Sequence, residues 1–269
     1  MEEIFKKRDK NCNKYDFGTL LLIAGSFGMC GAEILAAKSA MRSGVGLVRA
    51  VVCDKNYAPF CASVPEAVCS IVPTGSDGSP IINQGKFYEL MSDVNCITIG
   101  CGLGVTESTI SCVECVVKHS TVPIVADADA LNIISKNPDI LFSGKADILL
   151  TPHMGEFSRL MGIKSDILNN NPVFYAEKFA KKYGITLLLK GHKTIITDGN
   201  TTICENFGSP ALATPGSGDV LAGIIGALMA QGNSAFDSAY KGAYLHGLKG
   251  KKAEQIYGEW GVIASDLIC

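Results

Sequence analysis

The sequence predicts an α/β fold with a mainly parallel central sheet, an antiparallel hairpin near one end of it, and helices on both faces. Three observations predict it. Short, continuously apolar runs, the pattern of strands buried on both faces, alternate with longer stretches of helical spacing. Several of those runs end in glycine-rich loops, at the edge where open sheets of this class hold ligands. Late in the chain two alternating segments flank Asp198-Gly199-Asn200, a turn that joins neighbouring antiparallel strands.

Residues 1–17 are polar and read as an irregular lead-in. Thr19 to Ala24 is an apolar strand opening into Gly25-Ser26, and Gly28 to Ser43 follows as a helix whose small residues allow close packing on a sheet. Gly44 and Gly46 end that helix, and Val45 to Val52 is the next strand. In 53–94, Pro59, Pro65, Pro73 and Pro80 mark breaks around a strand at Ala67 to Val72 and a helix at Gln84 to Met91. Asn95 to Gly100 is a buried strand that runs into Gly100-Cys101-Gly102-Leu103-Gly104. This glycine cluster lacks the spacing and the later acidic residue of the dinucleotide fingerprint.

A helix at Thr106 to His119 precedes a strand at Val122 to Ala126, which ends in Asp127-Ala128-Asp129-Ala130-Leu131-Asn132. Acidic residues there suit either Mg²⁺ held through water near phosphates or, for Asp129, the cap of the next helix. Ala146 to Leu150 is a strand followed by Thr151-Pro152-His153-Met154-Gly155-Glu156 and a short helix, and His153 is open to a structural or a binding reading. Pro172 to Tyr183 is a helix with Pro in its first turn; Thr186 to Leu189 is a strand that leads to Lys190-Gly191-His192-Lys193-Thr194. The hairpin pairs Thr194–Thr197 with Thr201–Glu205, after which Val220 to Ala230, Ser234 to Leu248 and Val262 to Leu267 make a helical last third. No linker or repeat divides the 269 residues, which are expected to form one domain.

Composition narrows the function. A net charge of −2 gives no basic footprint, so nucleic acid and anionic membrane are excluded as partners, while local phosphate sites are not. The N-terminal stretch is charged, without an apolar signal core, and no apolar run has the length of a membrane span, so a cytoplasmic protein is expected. The 11 cysteines are scattered through apolar segments and read as reduced; Cys112 and Cys115 form a lone CxxC on a helix, with no second pair to make a metal site.

The stretch around which the chain is organised is Ala213 to Gly223, ATPGSGDVLAG, which leads into an apolar helix. Glycines and a serine at a helix start turn successive N–H groups toward an anion, helped by the positive helix end. Asp219 would lie in the first turn beside that anion. It either complements the helix dipole, worth roughly 0.3–1 kcal/mol, or acts as a base in phosphoryl transfer.

The GSGD loop, preceded by the Lys-Gly-x-x-Thr segment, resembles the ribokinase-like superfamily. The strings GSFGMCGAEILAAKSAMRSGVGLV, GCGLG, DADALN, TPHMGE, KGHKT and LATPGSGDVLAG, in this order from Gly18 onward, look like the NAD(P)H-hydrate dehydratase family. The resemblance implies a ribokinase-like fold and repair of damaged nicotinamide cofactor. The 6-hydroxyl of hydrated NADH or NADPH is phosphorylated from ADP or ATP, and phosphate then leaves as the ring nitrogen's lone pair pushes it out. It further implies Asp219 as the base, Gly216, Ser217 and Gly218 as the anion hole, and nucleotide contacts at Lys190, Gly191, His192, Lys193, Thr194 and Gly218. Hydrated-cofactor contacts fall on Ala40, Gly104, His153 and Asp219. Mg²⁺ arriving with the phosphates, preference for ADP in a free-standing module too short to carry an epimerase domain, and a homotetramer complete the expectation. Pro215, Cys101 and Ser209 stand where the family more often has glycine, proline and asparagine. The competing functions are a vitamin-precursor kinase of the same superfamily, which would release a stable phosphate ester, and a silent nucleotide-binding protein, which would have no need of Asp219.

Overall fold

In the computed structural model, which describes residues 4–5 and 7–268, nine strands form one sheet in the order β3-β2-β1-β4-β5-β6-β7-β8-β9. In chain order the elements are β1 (Thr19–Ile23), α1 (Cys30–Arg42), β2 (Leu47–Cys53), α2 (Tyr57–Ser63), β3 (Val68–Val72), α3 (Gln84–Met91), β4 (Cys96–Ile99) and α4 (Glu107–His119). There follow β5 (Ile124–Ala126), α5 (Asp129–Ile134), β6 (Ile148–Leu150), α6 (Met154–Met161), α7 (Ser165–Asn170), α8 (Pro172–Tyr183) and β7 (Thr186–Leu189). The chain closes with β8 (Thr194–Thr197), β9 (Thr202–Glu205), α9 (Ser217–Ala230) and α10 (Ala235–Gly261). Strands β1 to β7 pair in parallel, and β7-β8 and β8-β9 are antiparallel, as the hairpin reading requires.

The strands are short and apolar because both faces are covered. Leu21, Ile23, Ile97 and Ile99 face a core shared with α3 to α8, whereas Leu20, Leu22 and Val48 face one shared with α1, α2, α9 and α10. Helix α9 is wrapped on nearly every side, which explains a sequence with almost no polar residue after Asp219. It approaches α1 so closely that a Cβ on Gly223 would lie 2.1 Å from Ser39 Oγ and 2.2 Å from the Ala36 carbonyl. From β1 the chain winds outward to β2 and β3, and from β4 it winds the other way. The crevice at this reversal, bounded by the loops after β1 and β4, is where open α/β sheets bind ligands.

The proline-rich segment 53–94 holds a helix that was not expected: Pro59 lies in the first turn of α2, where its missing N–H costs nothing. Helix α10 runs well past Leu248, and regular helix breaks only at Gly258, whose φ is +73°. The final stretch is a 3-10 turn, Ala264–Leu267. The described cysteines are free thiols, with Cys112 packed in the core, and Cys269 lies outside the described residues. No described helix is long and apolar enough to cross a membrane.

One buried group is costly to the fold when ionised. Glu33, in the first turn of α1, is fully buried beneath Gly25, and neither of its carboxylate oxygens has a hydrogen-bond partner among the described residues. Burial holds its carboxyl well above the usual range. The stability this group allows is therefore complete below the ordinary glutamate range and is lost as pH rises towards its folded pKa. Glu33→Gln is expected to raise Tm at pH 8 by roughly 3 °C or more and to leave it unchanged near pH 4.5. Thermal melts of both proteins at the two pH values check this.

Candidate active site

The site is assembled from the residues that follow successive strands at their carboxyl ends, so the sheet's register does most of the placing. Ala126 of β5 stands opposite Leu150 of β6, which aligns Asp127 with Thr151 just beyond the strands. A parallel bridge pairs His153 with Lys190 after β7. On the far side, the loops after β1 and β4 are joined by hydrogen bonds from Gly25 N–H to the Cys101 carbonyl and from Ser26 N–H to the Gly102 carbonyl, at 3.0 and 2.8 Å. The amino end of α9 points into the space between them.

At that end Gly216 has φ +86°, a left-handed conformation that a glycine adopts without cost. The helix begins at Ser217 rather than after Gly218, so Gly218 and Asp219 are its second and third residues. Ser217 N–H is taken up by the Thr214 carbonyl, and Val220 N–H by that of Gly216. The N–H groups of Gly218 and Asp219 have no acceptor among the described residues. They are the open donors of this helix end, where a phosphate is bound by N–H groups and dipole together.

Lys190 lies against the same turn: a Cβ built on Gly218 would be 3.4 Å from its Nζ. Asp127, almost fully buried, accepts hydrogen bonds of 2.8 Å from Lys190 Nζ and 2.8 Å from Thr151 Oγ1. Glu156 Oε2 is 4.0 Å from the same ammonium. Burial alone would lower the Lys190 pKa, but Asp127 and then Glu156 hold it above the ordinary lysine range, so it is a fixed cation. Burial, with Asp127 adding to it, pushes the Asp219 carboxyl up to about 6. A carboxylate of that basicity is ionised at neutral pH and still accepts a proton readily, which is what a general base requires.

Oxygen donors for a hard cation are present. Asp127 uses Oδ1 for both of its hydrogen bonds, which leaves Oδ2 without a partner among the described residues. Asp127 and Asp219 each offer an atom within 4.8 Å of the other and of Cys101 Sγ. The carboxylates fit Mg²⁺, which takes a few protein oxygens and keeps several waters, whereas the thiol does not.

The remaining residues singled out in the sequence are placed as follows. Gly104 N–H donates to Asp129 Oδ2 at 2.7 Å. Asp129 is thus neither helix cap nor part of the carboxylate group at Lys190; the cap position of α5 is Ala128. Gly191, His192 and Lys193 form an exposed turn that leads to Thr194, the first residue of β8. Ala40, ten residues into α1, is fully buried in the core shared with α9.

His153 has a structural task. Its Nδ1 accepts from Gly155 N–H at 3.0 Å and from Glu156 N–H at 3.3 Å, while Glu156 Oε2 accepts from His153 N–H at 2.8 Å, a reciprocal cap on α6. The side chain is nonetheless 55% exposed, with Nε2 3.5 Å from Glu156 Oε1. His153→Ala would lose the cap at a cost of about 0.5–2 kcal/mol, whereas Asn keeps it. His153→Asn is expected to leave Tm within about 2 °C and to raise KM for the organic substrate severalfold. Steady-state kinetics beside a thermal melt check both.

Asp127 is legible in the sequence only as an acidic strand end; its pairing with Lys190, and the places of Thr151 and His246 beside the site, are not. The signal for Asp127 and Thr151 was positional, since each is the first residue beyond an apolar strand.

Similarity to known proteins points to one family. The model of the NAD(P)H-hydrate dehydratase family matches residues 20–269. The ADP-dependent (S)-NAD(P)H-hydrate dehydratase of Neisseria meningitidis is 37% identical over 249 residues, 91% of this chain and 80% of that protein. The crystal structure of the ADP/ATP-dependent NAD(P)H-hydrate dehydratase of Bacillus subtilis, co-crystallised with ATP and Mg²⁺, superposes with TM-score 0.83 at 28% identity, over 98% of this chain and 91% of that one. A ribokinase-like superfamily protein of Enterococcus faecalis shares the fold with TM-score 0.85 at 24% identity, over 100% of this chain and 91% of that one. The chain spans about half the length of the bifunctional NAD(P)H-hydrate repair enzymes it also matches, 50% of one from Moorella thermoacetica. With the family model matched over nearly its whole length and a relative 37% identical over 80% of its own length, the chain belongs to the NAD(P)H-hydrate dehydratase family.

Proposed function

We propose that this chain restores the S-epimer of hydrated NADH or NADPH to the reduced cofactor by phosphorylating its 6-hydroxyl from ADP or ATP and eliminating the phosphate. The observation that carries the reading is Asp219: a carboxylate raised to about 6, in the first turn of a helix whose open N–H groups face the same space. Asp219 takes the proton from the 6-hydroxyl as its oxygen attacks the terminal phosphorus. The N–H groups of Gly218 and Asp219 and the Lys190 ammonium stabilise charge on the phosphoryl oxygens, placed before the reaction begins. The ring nitrogen's lone pair then expels phosphate from C6, and loss of a proton from C5 completes the double bond. The products are reduced cofactor, inorganic phosphate and the shortened nucleotide.

Mg²⁺ would be held by the nucleotide phosphates and Asp127, whose Oδ1 takes both of its hydrogen bonds, and would offset phosphate charge. The turn at Gly191 to Thr194 would meet the nucleotide, and Gly104 and His153 the hydrated cofactor. One domain, ADP preferred over ATP, a homotetramer and a cytoplasmic location belong to the same reading. Incubation with hydrated NADH, Mg²⁺ and ADP or ATP tests it through the absorbance of reduced nicotinamide. Absorbance should rise with equimolar release of phosphate, and chelation should stop it. A stable phosphate ester in place of reduced cofactor would make the protein a kinase.

A further inference from the structure

Ser217, the first residue of α9, does not turn its hydroxyl to the anion site. Its Oγ lies 3.1 Å from Nε2 of His246, in the middle of α10, and both side chains are buried. Burial pushes the His246 imidazole down to about 4, so the ring is neutral at working pH. A neutral ring adds no charge to the phosphate site, but it can hold one hydroxyl in one rotamer. That hydroxyl belongs to the residue immediately before the two open N–H groups and the Asp219 carboxylate. The turn needs such a hold: its N-terminal neighbour Gly216 is a glycine at φ +86°, and Ser217 N–H is fastened only to Thr214 of the same loop. Helix α10 is itself fixed elsewhere, with Ala239 and Ala243 in the core beside α9 and Gly250 against Leu212. The His246-Ser217 contact therefore ties the loop to a rigid element 29 residues further along the chain.

We propose that His246 is a positioning residue: through Ser217 Oγ it sets the first turn of α9, and with it the N–H groups of Gly218 and Asp219 and the Asp219 carboxylate, against the transferring phosphoryl group. This rests on the phosphoryl-transfer reading of the site. A displacement near 1 Å at reacting groups lowers a rate by about 100-fold, so the contact matters for chemistry beyond its share of packing.

The test is a double-mutant cycle of His246→Leu and Ser217→Ala in the full chain, with His246→Asn as the hydrogen-bonding replacement. Four quantities are read: kcat, KM for hydrated NADH, Kd for ADP with Mg²⁺ by calorimetry, and Tm. His246→Leu and Ser217→Ala should each lower kcat by roughly 10- to 100-fold with KM for the hydrate within twofold. The double variant should be no slower than the slower single one, and His246→Asn should regain part of the rate. ADP affinity should weaken in the same non-additive way. Additive effects, or a lowered Tm with kcat and ADP affinity within twofold of wild type, would assign His246 to packing alone. If wild type fails to dehydrate the hydrate while ADP affinity shows the coupling, the positioning stands and the dehydratase reading falls. If wild type is active and the variants are indifferent, the reverse holds.

Discussion

Asp219→Asn is expected to bind nucleotide with near-normal affinity and to lose at least 100-fold in kcat, the lower range for removing a general base, or about 2.7 kcal/mol of transition-state stabilisation. Asparagine keeps the size and the place in the helix turn, and the N–H groups of Gly218 and residue 219 remain. A partner of the helix dipole would be worth only roughly 0.3–1 kcal/mol, chiefly in stability. The pH dependence separates the roles further. Because the base must be ionised, wild-type kcat should fall as pH drops through about 6, and the residual rate of the variant should lack that limb. Stability runs the other way. The folded pKa is raised above the ordinary aspartate value, so the stability associated with this carboxyl is present at low pH and lost as pH rises through about 6. Asp219→Asn should therefore melt higher than wild type at pH 7.5 and with it near pH 4. A variant that keeps more than a tenth of wild-type kcat would move the base elsewhere.

Lys190→Met should lose both stability and activity, for separable reasons. Asp127 is 2% exposed and would be left without the ammonium 2.8 Å away. Removing one partner of a buried pair costs about 3–5 kcal/mol. The lysine side chain is 23% exposed, so the lower end applies, a loss of roughly 6–12 °C in Tm. The cation beside Gly218 is lost as well, and turnover should fall by roughly 100-fold. Adding Asp127→Asn removes the stranded charge and should recover most of the Tm but none of the rate. Thermal melts and nucleotide kinetics on the single and double variants check this; recovery of both would make the pair structural only.

The elements carried by uninterrupted patterns were legible in the sequence. Strand β1, the Pro172–Tyr183 helix and the hairpin around Asp198 lie where the apolar runs and turn residues put them. Helix α7, of six residues, is too short for a period of 3.6 to declare itself. Pro59 read as a breaker because sequence spacing does not reveal whether a proline sits in a first turn. The helix expected to end at Leu248 continues as α10, and Gly250 lies inside it with Leu212 packed where a side chain would be. In the site, the GSGD turn and Lys190 announce themselves by local chemistry. The partners of these groups do not: Asp127 is 63 residues from Lys190 and His246 is 29 from Ser217. Only the order of the strands and the lie of α10 bring them together. His153 shows the converse, a residue with an evident binding reading that also closes a helix cap.

The most direct test of the mechanism follows one oxygen atom. Hydrated NADH carrying ¹⁸O in its 6-hydroxyl is turned over in unlabelled water with ADP and Mg²⁺, and the released phosphate is weighed by mass spectrometry. If the hydroxyl attacks phosphorus and leaves as phosphate, the P–O bond formed in the first step survives the second, and each phosphate carries the label. Unlabelled phosphate accompanied by labelled water would mean that nucleotide hydrolysis and dehydration are separate events, which contradicts phosphorylation of the hydroxyl at this site.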